Sequence, residues 1–130
     1  MKQLPIHIIN EAIKVANQCD YYFKMGAVIF NKNKIINSAC NEIRFTNKFH
    51  PRYKYKRWET SLHAEQKAIL FSNQDVKNCS ILVIKLSIGG ILTMAKPCEV
   101  CIELIKEKKL KDIYYTDRNN SFQYIKVKDI

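Results

Sequence analysis

Apolar residues follow two different spacings along this chain, and each switch between them marks an element. From Leu4 to Cys19 the positions Leu4, Ile8, Ile9, Ala12, Ile13, Val15 and Ala16 recur with a helical period, and Pro5 suits a first turn. Met25–Phe30 is then an unbroken apolar run. The polar tetrad Asn31-Lys32-Asn33-Lys34 and a second run over Ile35–Cys40 complete the pattern of a β-hairpin. The helix formers after His63 place Ala64, Ala68, Ile69 and Phe71 on one face for burial. Ser80–Leu86 is nearly all apolar, as expected of a central strand covered on both faces, and Ser87–Ile91 reads as a turn. Pro97 announces a helix running from Cys98 to about Lys108, with Val100, Ile102, Leu104 and Ile105 as its apolar positions. Strands over Asp112–Thr116 and Phe122–Val127 close the chain.

Connection lengths turn these elements into a topology. The strand, helix and strand from Ser80 to Thr116 imply a right-handed parallel crossover. Only Asp117-Arg118-Asn119-Asn120-Ser121 separates the last two strands, too few residues for a crossover, so they form an antiparallel hairpin. The fold class is therefore α/β, with a mixed sheet covered by helices. At 130 residues the chain makes one domain, 1–130, able to bury a core. No repeat or low-complexity linker divides it.

Composition narrows the setting. No stretch is apolar enough to span a membrane, and the start of the chain does not read as a signal peptide, so the expected location is the cytoplasm. Five cysteines, an odd number, suit a reducing compartment better than a disulfide framework, and Cys19, Cys40 and Cys79 are expected as buried or semi-buried thiols. A net charge of +10 is by itself compatible with simple solubility. Its distribution says more. Between Arg44 and Trp58 basic residues alternate with rings, and Arg52, Tyr53, Lys54, Tyr55, Lys56, Arg57 and Trp58 combine cations for phosphates with faces for stacked bases. The same residues also fit a solvated loop whose aromatics anchor in the core.

The chemistry lies in His63, Glu65, Cys98 and Cys101. Hydrolytic zinc needs three protein ligands, an open fourth position and a neighbouring acid/base that does not bind the metal. His63, Cys98 and Cys101 supply such a ligand set and Glu65 the proton carrier. Both pieces open helices, whose unpaired N–H groups favour thiolate over thiol. Taken alone, Cys98-Glu99-Val100-Cys101 would equally fit a structural half-site or a redox pair, and His63 a cap.

His63-Ala64-Glu65 with Pro97-Cys98-Glu99-Val100-Cys101 resembles the signature of the zinc-dependent cytidine deaminase superfamily. The resemblance runs from about Met25 to Thr116. It implies a three-layer α/β/α sandwich around a mixed five-stranded sheet, with zinc at its edge, and hydrolytic conversion of cytosine to uracil. It also implies further contacts to substrate. Gly26, in a Gly-Ala-Val-Ile run like the superfamily's first strand, would let the backbone approach the base, although a bulge or packing glycine has the same sequence. Asn41 would meet the sugar, although an asparagine that only ends the strand has the same sequence, and a backbone N–H at Ala64 or at the Cys98 turn would steady the base. The C-terminal hairpin resembles nucleoside cytidine deaminases and bacterial toxin deaminases. A histidine first ligand is instead typical of the branch that includes tRNA adenosine, deoxycytidylate and polynucleotide-editing cytosine deaminases. The leading expectation is cytosine in single-stranded nucleic acid. The alternatives are a free cytidine or deoxycytidine nucleotide, a tRNA adenosine, and a non-catalytic zinc-stabilised nucleic-acid-binding module.

Overall fold

The computed structural model describes residues 3–19, 24–45 and 59–130, with the backbone alone for 43–45 and 59–61. Helix α1 (Ile6–Asn17) starts where Pro5, at φ −62° and ψ 140°, is still extended, and it ends at Gln18. Ile8, Ala12, Val15 and Ala16 form its buried stripe, at the positions the periodicity picks out. Strands β1 (Lys24–Asn31) and β2 (Lys34–Cys40) then form the expected antiparallel hairpin.

Two strands that sequence periodicity does not reveal come next. β3 (Glu42–Phe45) and β4 (Glu59–Leu62) pair in a separate antiparallel ribbon, Glu42 opposite Leu62 and Phe45 opposite Glu59. Arg44, read as the start of a loop, is therefore in a strand. The substrate-facing stretch Arg52, Tyr53, Lys54, Tyr55, Lys56, Arg57 and Trp58 lies outside the described residues.

The remaining elements are α2 (Ala64–Leu70), β5 (Ser80–Leu86), β6 (Leu92–Thr93), α3 (Glu99–Glu107), β7 (Asp112–Thr116) and β8 (Phe122–Lys126). The main sheet runs in the order β2-β1-β5-β7-β8, with β6 added against β5. It is mixed: β5 and β7 are parallel across the α3 crossover, and every other pair is antiparallel, the final hairpin included. The count of five strands needs correction to six. Leu92–Thr93 is too short for a period to show, yet it pairs with Lys85 and Leu86, beyond the point where β7 stops pairing with β5.

Strand alternation sorts the core into two layers. Val28, Phe30, Leu82, Ile84 and Tyr114 face α1, packing on Leu4, Ile8, Ala12 and Ala16. Ala27, Ile29, Ile81, Val83 and Ile113 face the other way, onto Ala64, Ala68 and Ile69 of α2 and Leu104 and Ile105 of α3. This is the α/β/α sandwich, and it explains why β5 is nearly all apolar. Phe71 is a second correction, being half exposed rather than buried. Helix α2 ends at Leu70, and Phe71 at φ −104° has left the helical spiral that would turn it inward. Cys19 and Cys79 are buried, Cys40 is half-buried, and all five cysteines are free thiols. Among the described residues no helix is long and apolar enough to cross a membrane.

Candidate metal centre and active site

Two helix starts meet at one end of the sandwich. His63 is the N-cap of α2, and Cys98 is the N-cap of α3 directly after the buried Pro97. The side chain of Gln66 reaches back to accept the His63 N–H at 2.8 Å, fixing the entry of the chain into α2. Cys101 follows one turn into α3, so both sulfurs lie on the face turned toward α2.

Three ligand atoms converge. The donor atoms of His63, Cys98 and Cys101 all lie within 4.8 Å of one another. His63 Nδ1 is 3.2 Å from Cys101 Sγ and 3.7 Å from Cys98 Sγ. Zinc bonds of about 2.0–2.1 Å to nitrogen and 2.3 Å to sulfur at tetrahedral angles place N and S roughly 3.6 Å apart, so the set fits zinc. Burial, with Glu65 and Cys98 alongside, pushes the Cys101 thiol far up from its usual range. A cation between the sulfurs reverses that preference, because a coordinating thiol gives up its proton. Cys101 is fully buried and Cys98 exposed, so the cluster has one closed side and one side open to solvent.

Glu65 lies in the first turn of α2, just beyond His63, and is 2% exposed. Burial raises its carboxyl above the usual range, while its own backbone N–H, the His63 charge and a hydrogen bond with Cys101 pull the other way. Among the described residues Oε1 has no hydrogen-bond partner. A buried carboxyl oxygen left unpaired is costly and uncommon, and beside a metal site it is a place for a ligand's proton.

Asn41 directly precedes β3 and His63 directly follows β4, with Glu42 opposite Leu62 at the base of the ribbon between them. Farther along α2, Lys67 meets Glu42 at 3.4 Å, and the Asn37 carboxamide donates to Ala68 O at 2.8 Å, holding the helix over β2. Asn41 is buried, and its Oδ1 accepts from the Met25 N–H at 2.9 Å and the Cys19 thiol at 3.0 Å. Ala64 is wholly buried.

Gly26 has another occupation. A Cβ built there would lie 2.3 Å from Ala12 O and 3.1 Å from Ala16 N, so its bareness is taken up by the close approach of α1. Thr116 is a residue that sequence reasoning did not single out. Fully buried, it donates its hydroxyl to Thr93 O at 2.6 Å and accepts the Ala95 N–H at 2.9 Å on its carbonyl. These bonds pin the segment leading to Pro97 and Cys98 onto the end of β7. An isolated threonine in a strand carries no signal of that kind.

Comparison with known proteins agrees with this geometry. The family model described as the cytidine and deoxycytidylate deaminase zinc-binding region matches residues 3–117. No curated protein sequence matches the chain. Among solved structures it is similar to the dCMP deaminase of cyanophage S-TIM5 in apo form, at 19% identity and TM-score 0.53, covering 90% of this chain and 88% of that one. The same enzyme in complex with dCMP and dUMP gives 18% identity and TM-score 0.52, covering 89% and 85%. A Thermotoga maritima diaminohydroxyphosphoribosylaminopyrimidine deaminase/5-amino-6-(5-phosphoribosylamino)uracil reductase gives 20% and 0.53, covering 86% of this chain but 29% of the larger protein.

Proposed function

Since this chain belongs to the cytidine and deoxycytidylate deaminase family, matched over residues 3–117, we propose that it hydrolyses the amino group from the cytosine of a free nucleotide, leaving uracil and ammonia. His63, Cys98 and Cys101 hold zinc, which when bound lowers the pKa of water to about 7. The observation that carries the reading is Glu65: a buried carboxyl with an oxygen unpaired among the described residues, beside a cluster that among those residues has three ligands rather than four.

Each residue of the chain then has a task. Glu65 takes one proton of the attacking water and delivers it to the ring nitrogen, then carries the water's second proton from the hydroxyl now on the amino-bearing carbon to the amino group, so that the C–N bond breaks, ammonia leaves and the carbonyl forms. Its burial keeps bulk water from competing for those protons. Asn41 hydrogen-bonds the sugar, and the Ala64 N–H steadies the base. Basic residues between Arg44 and Arg57 counter the single phosphate. The fold shared with a dCMP deaminase that binds dCMP and dUMP supports a nucleotide.

Cytosine within a single strand is the second reading, favoured by the alternation of cations and rings from Arg44 to Trp58. The two differ in salt dependence. About four phosphate contacts at a slope of −0.7 each would weaken binding roughly fifty-fold between ~50 and ~200 mM salt, whereas one contact weakens it about threefold. Product mass from a panel of cytidine, dCMP and cytosine-containing oligonucleotides tests the assignment, with Glu65→Ala as control. That variant should keep its zinc and lose ~10²–10⁴ in turnover. A Glu65→Ala protein that turns over normally, or a zinc-loaded wild type inert toward every cytosine compound, refutes the proposal.

A further inference from the structure

Four lysines surround a cavity at the far end of the sheet from the metal ligands. The cavity, about 430 Å³, is lined by Lys109 and Lys111 from the connection between α3 and β7, by Lys126 and Lys128 from the end of β8 and the turn after it, and by Asn78 and Asp112. The buried Leu110 and Val127 complete the lining. Ser80, Asp112 and Lys126 stand side by side there, at the start of β5 and β7 and the end of β8. The segment leading to Cys98 leaves from the other end, where β6 pairs with Lys85 and Leu86 and the Ala95 N–H meets Thr116 O. The seven residues of β5, rising about 3.3 Å each, put roughly 20 Å of sheet between the two.

The backbone fixes these lysines at their base. The Val127 N–H donates to Lys111 O and the Lys111 N–H to Cys79 O, both at 2.9 Å, while the Asn78 N–H meets Lys109 O at 2.8 Å. Among the described residues none of the four lysines forms an ion pair. Asp112 is the one acid lining the cavity, and both its oxygens are held by hydroxyls, those of Tyr124 and Ser80. Lysines after a helix often answer its dipole and its open carbonyls. Here the carbonyls of Leu104, Ile105 and Lys106 already accept the N–H groups of Lys108, Leu110 and Lys109. Lys109 also sits at φ 61°, where glycine avoids a steric cost that lysine bears. Lys126 and Lys128 belong to another element altogether. Exposed lysines carry the charge beyond the rim, Lys77 next to Asn78 and Lys106 and Lys108 at the end of α3.

We propose that this surface binds the phosphate backbone of double-helical nucleic acid. Four cations against one hydrogen-bonded carboxylate leave an excess of positive charge that closely spaced phosphates complement. A band of lysines wider than the cavity suits an extended polyanion better than a compact one. Single strands are held by cations interleaved with aromatic faces. Among the described residues no aromatic ring lines this cavity, so nothing in it stacks on an unpaired base. The contact therefore reads backbone charge and not sequence. It stands apart from the nucleotide reading, since it uses neither the zinc ligands nor Glu65.

Fluorescence anisotropy of a short labelled DNA duplex tests this, comparing the zinc-loaded wild type with a variant carrying Lys109→Gln, Lys111→Gln, Lys126→Gln and Lys128→Gln. About four phosphate contacts at a slope of about −0.9 each weaken wild-type binding roughly 150-fold between ~50 and ~200 mM salt. The variant should lose most of that salt dependence and bind at least about tenfold more weakly at the lower salt. Its Tm should stay that of wild type, because all four side chains are exposed. Saturating dCMP should leave the duplex bound. A variant that holds the duplex as tightly as wild type would overturn the proposal, as would a single strand of the same sequence bound more tightly than the duplex. Displacement by dCMP would place the contact at the reaction centre, and displacement by inorganic triphosphate too dilute to act as salt would mark a compact-anion site; either refutes it. Should the fourfold variant not fold, the pairs Lys109→Gln with Lys111→Gln and Lys126→Gln with Lys128→Gln carry the comparison, each halving the salt slope. A wild type inert on dCMP bears on the nucleotide reading alone, and the anisotropy still decides this one.

Discussion

Replacing Gly26 with alanine separates two roles that one glycine could serve. If Gly26 exists to let the base approach, Gly26→Ala should raise KM and leave stability nearly intact. The geometry argues for packing instead. The new methyl would sit 2.3 Å from Ala12 O and 3.1 Å from both Ala16 N and Val15 Cγ2. Ordinary contact is about 3.4 Å or more, and the nearest atom is backbone, so no rotamer change relieves it. Helix α1 must move by roughly an ångström off a layer in which Ile8, Ala12 and Ala16 are wholly buried. Overpacking of this kind costs ~1–3 kcal/mol. Against it stands the usual gain from removing a glycine in the unfolded chain, ~0.4–1 kcal/mol, which is too small to win. Unfolding entropy near 2.1 cal/mol/K per residue gives about 0.27 kcal/mol/K for 130 residues. A net loss of about 1–2 kcal/mol therefore lowers Tm by about 4–7 °C. Thermal unfolding of the zinc-loaded protein measures this, with KM on dCMP taken well below the transition. A Tm within a degree of wild type would refute the packing argument, and a raised KM in that same protein would return Gly26 to the substrate.

What could be read from the sequence divides along physical lines. The helix stripe, the apolar β5 and the final hairpin are local, their periods and connection lengths being written in consecutive residues. The metal ligands were legible for a similar reason. Cys98 and Cys101 share a helical face by spacing alone, and only His63 had to be brought from elsewhere. The β3–β4 ribbon shows the limit. Glu42-Ile43-Arg44-Phe45 does alternate, but Glu59-Thr60-Ser61-Leu62 offers no apolar face, and four-residue strands whose partners lie far along the chain leave little trace. Yet that ribbon carries the chain from the end of β2 to His63, so the path leading to the site was less visible than its ligands. Gly26 and Thr116 fail for the same cause. What each does depends on a tertiary neighbour, α1 for one and the segment before Pro97 for the other, and no period encodes a neighbour.

Further outcomes follow from the same contacts. Removing zinc with a chelator should lower Tm as well as abolish activity, since His63, Cys98 and Cys101 join α2 to α3. Ligand linkage gives about 4 kcal/mol at a thousandfold excess over Kd, and an apo protein as stable as the loaded one would contradict the assigned ligands. The last concerns the C-terminal hairpin. Tyr124 donates its hydroxyl to Asp112 Oδ1 at 2.5 Å, while Ser80 donates to Oδ2 at 3.2 Å and the Tyr114 ring lies 5.0 Å away. That carboxylate hydrogen bond, helped by burial, pushes the phenol up to about 12 from an ordinary value near 10. The folded state thus prefers the protonated phenol more than the unfolded chain does. Its stabilisation is whole below about pH 10 and disappears as pH climbs through about 12. Tyr124→Phe should cost about 1 kcal/mol at neutral pH, discounted for a side chain only partly shielded from water, and the gap to wild type should close as pH rises. Urea midpoints for both proteins across the alkaline range measure it. A gap unchanged at pH 12 would mean that the hydroxyl contributes through its packing and not through its proton.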